Sequence, residues 1–169
     1  MLADAIQHYH DLLTPQMAAD SQDHLEQQTK LRDMWFGDRP VCSVLRPRFL
    51  SLSQLQFLQT AVKRLSSAFA KSYKAAIGDA NFRKQFLLTP TEEELIKFDP
   101  GFDDPSPTSR LDSFFVSEQE LKFTENNTET PAGAGYNDVL TEMFWAMSVC
   151  WPIERVAAPL SRYQRRQSP

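Results

Sequence analysis

Arg110-Leu111-Asp112-Ser113-Phe114-Phe115-Val116 and, after Ser117-Glu118-Gln119-Glu120, Leu121-Lys122-Phe123-Thr124-Glu125-Asn126-Asn127 decide how this chain is read. Both runs mix β-branched and aromatic residues with polar ones, as strands with one half-buried face do. The spacing predicts an antiparallel hairpin joined by Ser117 to Glu120. Pairing Val116 with Leu121 sets Phe114 opposite Phe123, Asp112 opposite Glu125 and Arg110 opposite Asn127. Direct cross-strand partners share a face with Cβ atoms roughly 4.5–5.5 Å apart, so the hairpin has an apolar end near its turn and a polar end away from it. Two facing carboxylates repel unless a positive charge sits beside them. Arg110 can supply that charge, and a divalent cation can too.

Asp112, Glu125 and the Asn127 carbonyl are hard oxygen donors of the kind Mg²⁺ takes, with waters and phosphates completing its shell. Downstream, Thr130-Pro131-Ala132-Gly133-Ala134-Gly135 leads into a helix expected from about Tyr136 to Val149. Amide groups at such a helix start can hold a carboxylate or phosphate, which makes Gly133 and Gly135 candidate cofactor-binding positions. The same residues also read as a solvated strand end and an ordinary Pro/Gly turn. A one-residue slip in register would move Glu125 to the other face.

Arg110-x-Asp112, then Glu125-x-Asn127 and Glu129-Thr130-Pro131, resembles the circularly permuted ATP-grasp proteins related to glutathionylspermidine synthetase. The resemblance extends to Arg39-Pro40-Val41-Cys42, Leu45-Arg46-Pro47-Arg48-Phe49 and the approach from Pro100-Gly101, covering roughly residues 36 to 148. It implies an ATP-dependent carboxylate–amine ligase, with Asp112, Glu125 and Asn127 as Mg²⁺ ligands. Arg110 would contact the transferred phosphate or a small-molecule carboxylate substrate as a catalytic residue. In that family the lysines gripping ATP follow the E-x-N segment, whereas no lysine follows Lys122 here. The expectation is therefore an N-terminal portion carrying the Mg²⁺ and substrate half-site, inactive alone. A truncation, a frameshift or a separately encoded C-terminal half would account for it, and ATP would bind only with that half supplied. The alternative is a non-catalytic binding module or a helical interaction module.

The rest of the chain reads as scaffold. Its 169 residues, 41% hydrophobic with 12 Phe, suit one domain with its own core. We expect that domain over residues 1–149, with 150–169 a disordered or out-of-fold tail because Arg, Pro, Ser and Gln accumulate there. A net charge of −4 points away from nucleic acid or an anionic membrane as partner. Lys63-Arg64, Arg83-Lys84 and Arg162 to Arg166 read as solvated surface. Cys42 and Cys150 show no metal spacing, and the polar start and absence of a long apolar run predict a cytoplasmic protein.

Elsewhere the spacing predicts helices over Leu2–Leu13, then from Thr14-Pro15 to about Met34 as a surface helix. A buried strand is expected at Val41–Leu45. A long helix from Ser51 to Ile77, ended by Gly78, should bury Leu55, Leu58, Val62, Leu65 and Phe69. Short helices follow at Phe82–Leu87 and Thr91–Lys97, the latter with a Thr91/Glu94 capping box. The fold class is α/β or α+β: helices packed on a small mixed sheet with a hairpin, forming an incomplete ATP-grasp-like lobe.

Overall fold

The computed structural model describes residues 2–101, 106 and 108–150. It is a mixed α/β fold in which helices dominate. Strands occur, among the described residues, in two separate two-stranded antiparallel hairpins. The small mixed sheet expected from the sequence is thus a pair of independent ribbons. The chain divides into two compact units, one built from the segments up to Ser51 and from Ala132 onward, the other from Leu52–Pro131. Of the tail expected over 150–169, Cys150 is described and buried in the core, while the rest lies outside the described residues, as does most of the Asp/Pro-rich approach to Arg110.

In the first unit, α1 (Leu2–Leu12) and α2 (Pro15–Leu31) meet at Thr14, whose Oγ1 accepts a hydrogen bond from the Met17 amide at 3.2 Å. Pro15 occupies the first turn, where a missing N–H costs nothing. α2 is a surface helix with a weak inward stripe, as the sequence predicts. Ser21, Leu25 and Thr29 recur every fourth residue and are buried, so the inward stripe is narrow and two of its three residues are polar. Thr29 makes that burial tolerable, because its hydroxyl donates to the Glu26 carbonyl and accepts from Trp35 Nε1, each at 3.0 Å.

Strands β1 (Trp35–Phe36) and β2 (Arg39–Pro40) turn through Gly37 at φ +60°, a left-handed conformation that glycine adopts without strain. The buried strand expected at Val41–Leu45 is not formed. The Val41 amide reaches the Met34 carbonyl at 2.9 Å, and beyond it the segment runs irregularly. An apolar run makes a strand only where a neighbour takes its backbone groups. Here Val41, Cys42 and Leu45 pack on the core while Val44 stays 60% exposed. Helix α6 (Ala134–Ala146) supplies the other side of that core. Tyr136, Val139, Leu140, Met143, Phe144 and Met147 fall at helical spacing and gather with Tyr9, Leu25, Met34, Val149 and Cys150. α6 starts two residues earlier and ends three earlier than the sequence predicts.

The second unit is built on α3 (Leu52–Gly78), which matches its expected bounds closely. Its apolar stripe does not make the expected core. Leu55, Leu58, Val62 and Leu65 are half-buried and Phe69 is exposed. The buried residues of α3 are Gln54 and Ala76. Asp79 caps α4 (Ala80–Arg83) through Oδ1, which accepts from the Asn81 and Phe82 amides at 2.8 and 3.2 Å. A 3₁₀ turn, Lys84–Phe86, replaces the rest of the helix expected at Phe82–Leu87. Helix α5 (Pro90–Leu95) begins at Thr89, with a capping box to Glu92. Thr89-x-x-Glu92 and Thr91-x-x-Glu94 both fit that pattern, and Pro90, which belongs in a first turn, selects the former.

Arg83 also departs from the solvated reading. It is buried, and its Nη1 donates to the carbonyls of Ala76 (2.7 Å) and Ile77 (3.3 Å) while Nε donates to Glu93 Oε2 at 2.9 Å. One guanidinium thereby satisfies two carbonyls left open at the end of α3 and ties α5 to it.

Candidate functional site

Strands β3 (Arg110–Ser117) and β4 (Glu120–Asn127) form the hairpin, with Glu118-Gln119 as its turn. Pairing runs Arg110 with Asn127, Leu111 with Asn126 and Asp112 with Glu125. It then shifts, so that Ser113 faces Phe123, Phe114 faces Lys122 and Phe115 faces Leu121, and shifts again before Ser117 meets Glu120. Thr124 takes the extra place on β4 and Val116 the extra place on β3. One irregularity offsets the other. The polar end therefore keeps the register expected from the sequence, while the expected Phe114–Phe123 pair is replaced.

A local hydrogen bond and cover against α3 both favour the shift. Thr124 Oγ1 donates to the Asp112 carbonyl at 3.0 Å, so the residue left out of the ladder still takes up a backbone acceptor. The changed parity puts Ser113, Phe115, Leu121 and Phe123 on half-buried positions. The Phe115 ring lies 6.4 Å from that of Phe57 on α3. Phe114 and Val116 remain exposed, at 67% and 61%.

At the polar end, Arg110 grips Asp112 with two parallel hydrogen bonds, Nε to Oδ1 at 2.7 Å and Nη2 to Oδ2 at 3.1 Å. Two residues apart on one strand, they share a face. Asn127 Nδ2 donates to Glu125 Oε1 at 3.0 Å on the facing strand. The amide group of Asn127 thus turns its nitrogen inward and keeps its carbonyl for another partner. The Arg110 hydrogen bonds hold the Asp112 carboxyl below the usual carboxylate range, and Asp112 in turn raises the pKa of Arg110. The pair therefore contributes fully above the pKa of an unfolded Asp, and that contribution is lost as pH falls through the lowered folded value. Both side chains stay substantially exposed (42% and 35%), so water screens the pair and it serves geometry more than stability.

Among the described residues there is no cluster of three or more His, Cys, Asp or Glu that could hold a metal. A cation at this face would have Asp112 and Glu125 as its charged ligands, with the Asn127 carbonyl as a neutral one. That donor set fits Mg²⁺, which commonly takes one or two carboxylates and keeps several waters. Arg110 would have to release at least one Asp112 oxygen.

Gly133 and Gly135 belong to the first unit. Gly133 is the N-cap at φ +113°, with no side-chain cap. Gly135 lies inside the first turn of the helix, not ahead of it as expected from the sequence, and a Cβ there would meet nothing within 4 Å. Gly135→Ala should therefore raise the unfolding free energy of this unit by about 0.5–1 kcal/mol, read by chemical denaturation. A drop would mean that backbone freedom at this turn is needed.

Sequence reasoning gave Asn126 no place in the site. It pairs with Leu111 on the opposite face, and its Oδ1 is buried with no hydrogen-bond partner. No spacing signal could have found it, because its burial depends on the shift at Thr124. Cys42 and Cys150 are free thiols; burial pushes Cys150 up to about 11, which suppresses the thiolate a nucleophile needs. Among the described residues no helix is long and apolar enough to cross a membrane.

Comparison of the chain with protein families, with curated proteins and with solved structures found no match. The class of protein defined here is a mixed α/β chain whose second unit presents an Arg/Asp/Glu/Asn face on a bulged hairpin.

Proposed function

We propose that the polar face of β3–β4 is the divalent-cation and substrate half-site of an ATP-dependent carboxylate–amine ligase-like protein. The observation that carries the reading is the pairing of Asp112 with Glu125, flanked by Arg110 and Asn127 on the same two strands. Two carboxylates set across a ladder concentrate negative charge at one point, and a hard cation is the partner that best relieves it. The R-x-D and E-x-N-x-E-T-P resemblance supplies the reaction class. Bound Mg²⁺ would stabilise charge on a transferring phosphoryl group. Arg110, with a planar fork suited to oxyanions, would exchange Asp112 for a substrate carboxylate or phosphate.

Mg²⁺ titration followed by amide NMR tests this reading. Shifts should concentrate at Asp112, Glu125 and Asn127, and Asp112→Asn should weaken the apparent affinity about tenfold or more, in keeping with the loss of one of two charged ligands. Affinity should also fall as pH drops far enough to protonate Asp112, below the normal Asp range because Arg110 holds its pKa down. Unchanged binding in Asp112→Asn would sink the metal assignment.

A second reading has its own support. Arg110 already occupies both Asp112 oxygens, so Asp112 is charge-satisfied as it stands. Under that reading it is a non-catalytic binding surface, Mg²⁺ moves no hairpin amide, and a carboxylate ligand competes with Asp112 for Arg110.

A further inference from the structure

The chain has 18 basic and 22 acidic residues, yet α3 holds Lys63, Arg64, Lys71 and Lys74 and no acid in its 27 residues. Outside α3 that leaves 14 basic against 22 acidic residues, a net of −8. The segregation is positional as well. At 100° per residue, the α3 cations fall within an arc of about 100°, opposite the Leu55/Leu58/Val62/Leu65 stripe. Thr60, Lys63, Arg64, Ser67, Ala68 and Lys71 line a shallow concavity of about 420 Å³ along that face. Among the described residues, none of Lys63, Arg64, Lys71 and Lys74 takes part in an ion pair.

Unpaired cations are what a face with an anionic partner retains. Lys30, Arg83, Arg110 and Lys122 each have a carboxylate of their own. We propose that this face of α3 docks an acidic peptide segment, with Lys63, Arg64 and Lys71 reading its carboxylates and Thr60 and Ser67 hydrogen-bonding between them. Charge complementarity and size select the partner. The basic stretch from Lys63 to Lys74 runs about 16 Å along the helix. A carboxylate bounds the N-terminal end of this face: Glu118 Oε2 accepts from Ser53 Oγ at 3.4 Å. A nucleic acid or a flat anionic bilayer would extend over that carboxylate, whereas a single short acidic segment fits on the basic stretch beyond it.

The test is fluorescence anisotropy of the full chain with a labelled ten-residue polyglutamate peptide against an equally long Gly/Ser peptide. Polyglutamate should bind at low salt and weaken several-fold between about 50 and 200 mM salt, as screening shortens the reach of the charges. Lys63→Glu with Arg64→Glu should reduce affinity at least about tenfold. The milder Lys71→Gln should reduce it less, and Lys84→Gln, on a different element, should not change it. Circular dichroism confirms helix content in each variant, and Lys71→Gln decides should the double variant lose it. The proposal is overturned if polyglutamate binds no better than Gly/Ser, or if Lys71→Gln binds as the parent does. It is also overturned if phosphatidylserine vesicles or a single-stranded oligonucleotide bind more tightly. None of these outcomes touches the hairpin reading, which Mg²⁺ reports.

Discussion

Arg83→Met is expected to lower the stability of the second unit by about 3–5 kcal/mol, the range for breaking a buried pair from one side. The substitution keeps most of the side-chain length but removes every donor. Glu93, two-thirds covered, would lose its counter-charge, and the Ala76 and Ile77 carbonyls would lose the Nη1 that both accept from. The loss should be large because this unit has little else to fall back on. Most of the α3 stripe is only half-buried, and no large apolar side chain of the unit is fully buried among the described residues. Urea denaturation of the parent, Arg83→Met and the double variant with Glu93→Gln measures it. A double variant substantially more stable than Arg83→Met would show that the stranded carboxylate carries much of the loss. A change under about 0.5 kcal/mol in Arg83→Met, the scale of an ordinary surface substitution, would contradict the buried role.

Tyr9→Ala should cost the first unit a similar amount, about 3–5 kcal/mol, as expected for removing a large buried aromatic. Tyr9 is fully buried and its ring packs edge-on against Phe49 at 6.0 Å. Its hydroxyl donates to the Leu45 carbonyl at 2.6 Å, which pins the irregular Val41–Leu45 segment to α1. Tyr9→Phe keeps the ring and leaves that carbonyl unmet, so about 1 kcal/mol is expected. Burial also pushes the Tyr9 hydroxyl up to about 12. A raised folded pKa stabilises below the unfolded value near 10, and that contribution is lost as pH rises from there toward 12. Stability of the parent measured from pH 9 to 11 should fall, and Tyr9→Phe should remove part of that slope. Equal slopes in the two proteins would place the alkaline loss elsewhere.

Helix positions were legible where a cap or a stop is written in adjacent residues. Thr14-Pro15 and Gly78 fixed their helix ends, and the hairpin with Asp112 opposite Glu125 followed from alternation alone. Thr89 against Thr91 was ambiguous because two overlapping capping boxes share one stretch. Val41–Leu45 misled because an apolar run does not say whether a neighbouring strand exists.

For the candidate site, the sequence by itself determined which residues could share a face. Period-two alternation and strand direction are properties of the local backbone. Only the tertiary structure decided that the register shifts at Thr124 and returns at Val116, because such shifts depend on which side chains find cover against α3. It also decided that Arg110 closes on Asp112 and that Asn126 is buried. It divided the hairpin and the Gly133–Gly135 helix start between two units. The fate of Arg83 was settled in the same way: a solvated cation and a buried clamp have the same local sequence, and only the carbonyls and carboxylate brought around it distinguish them.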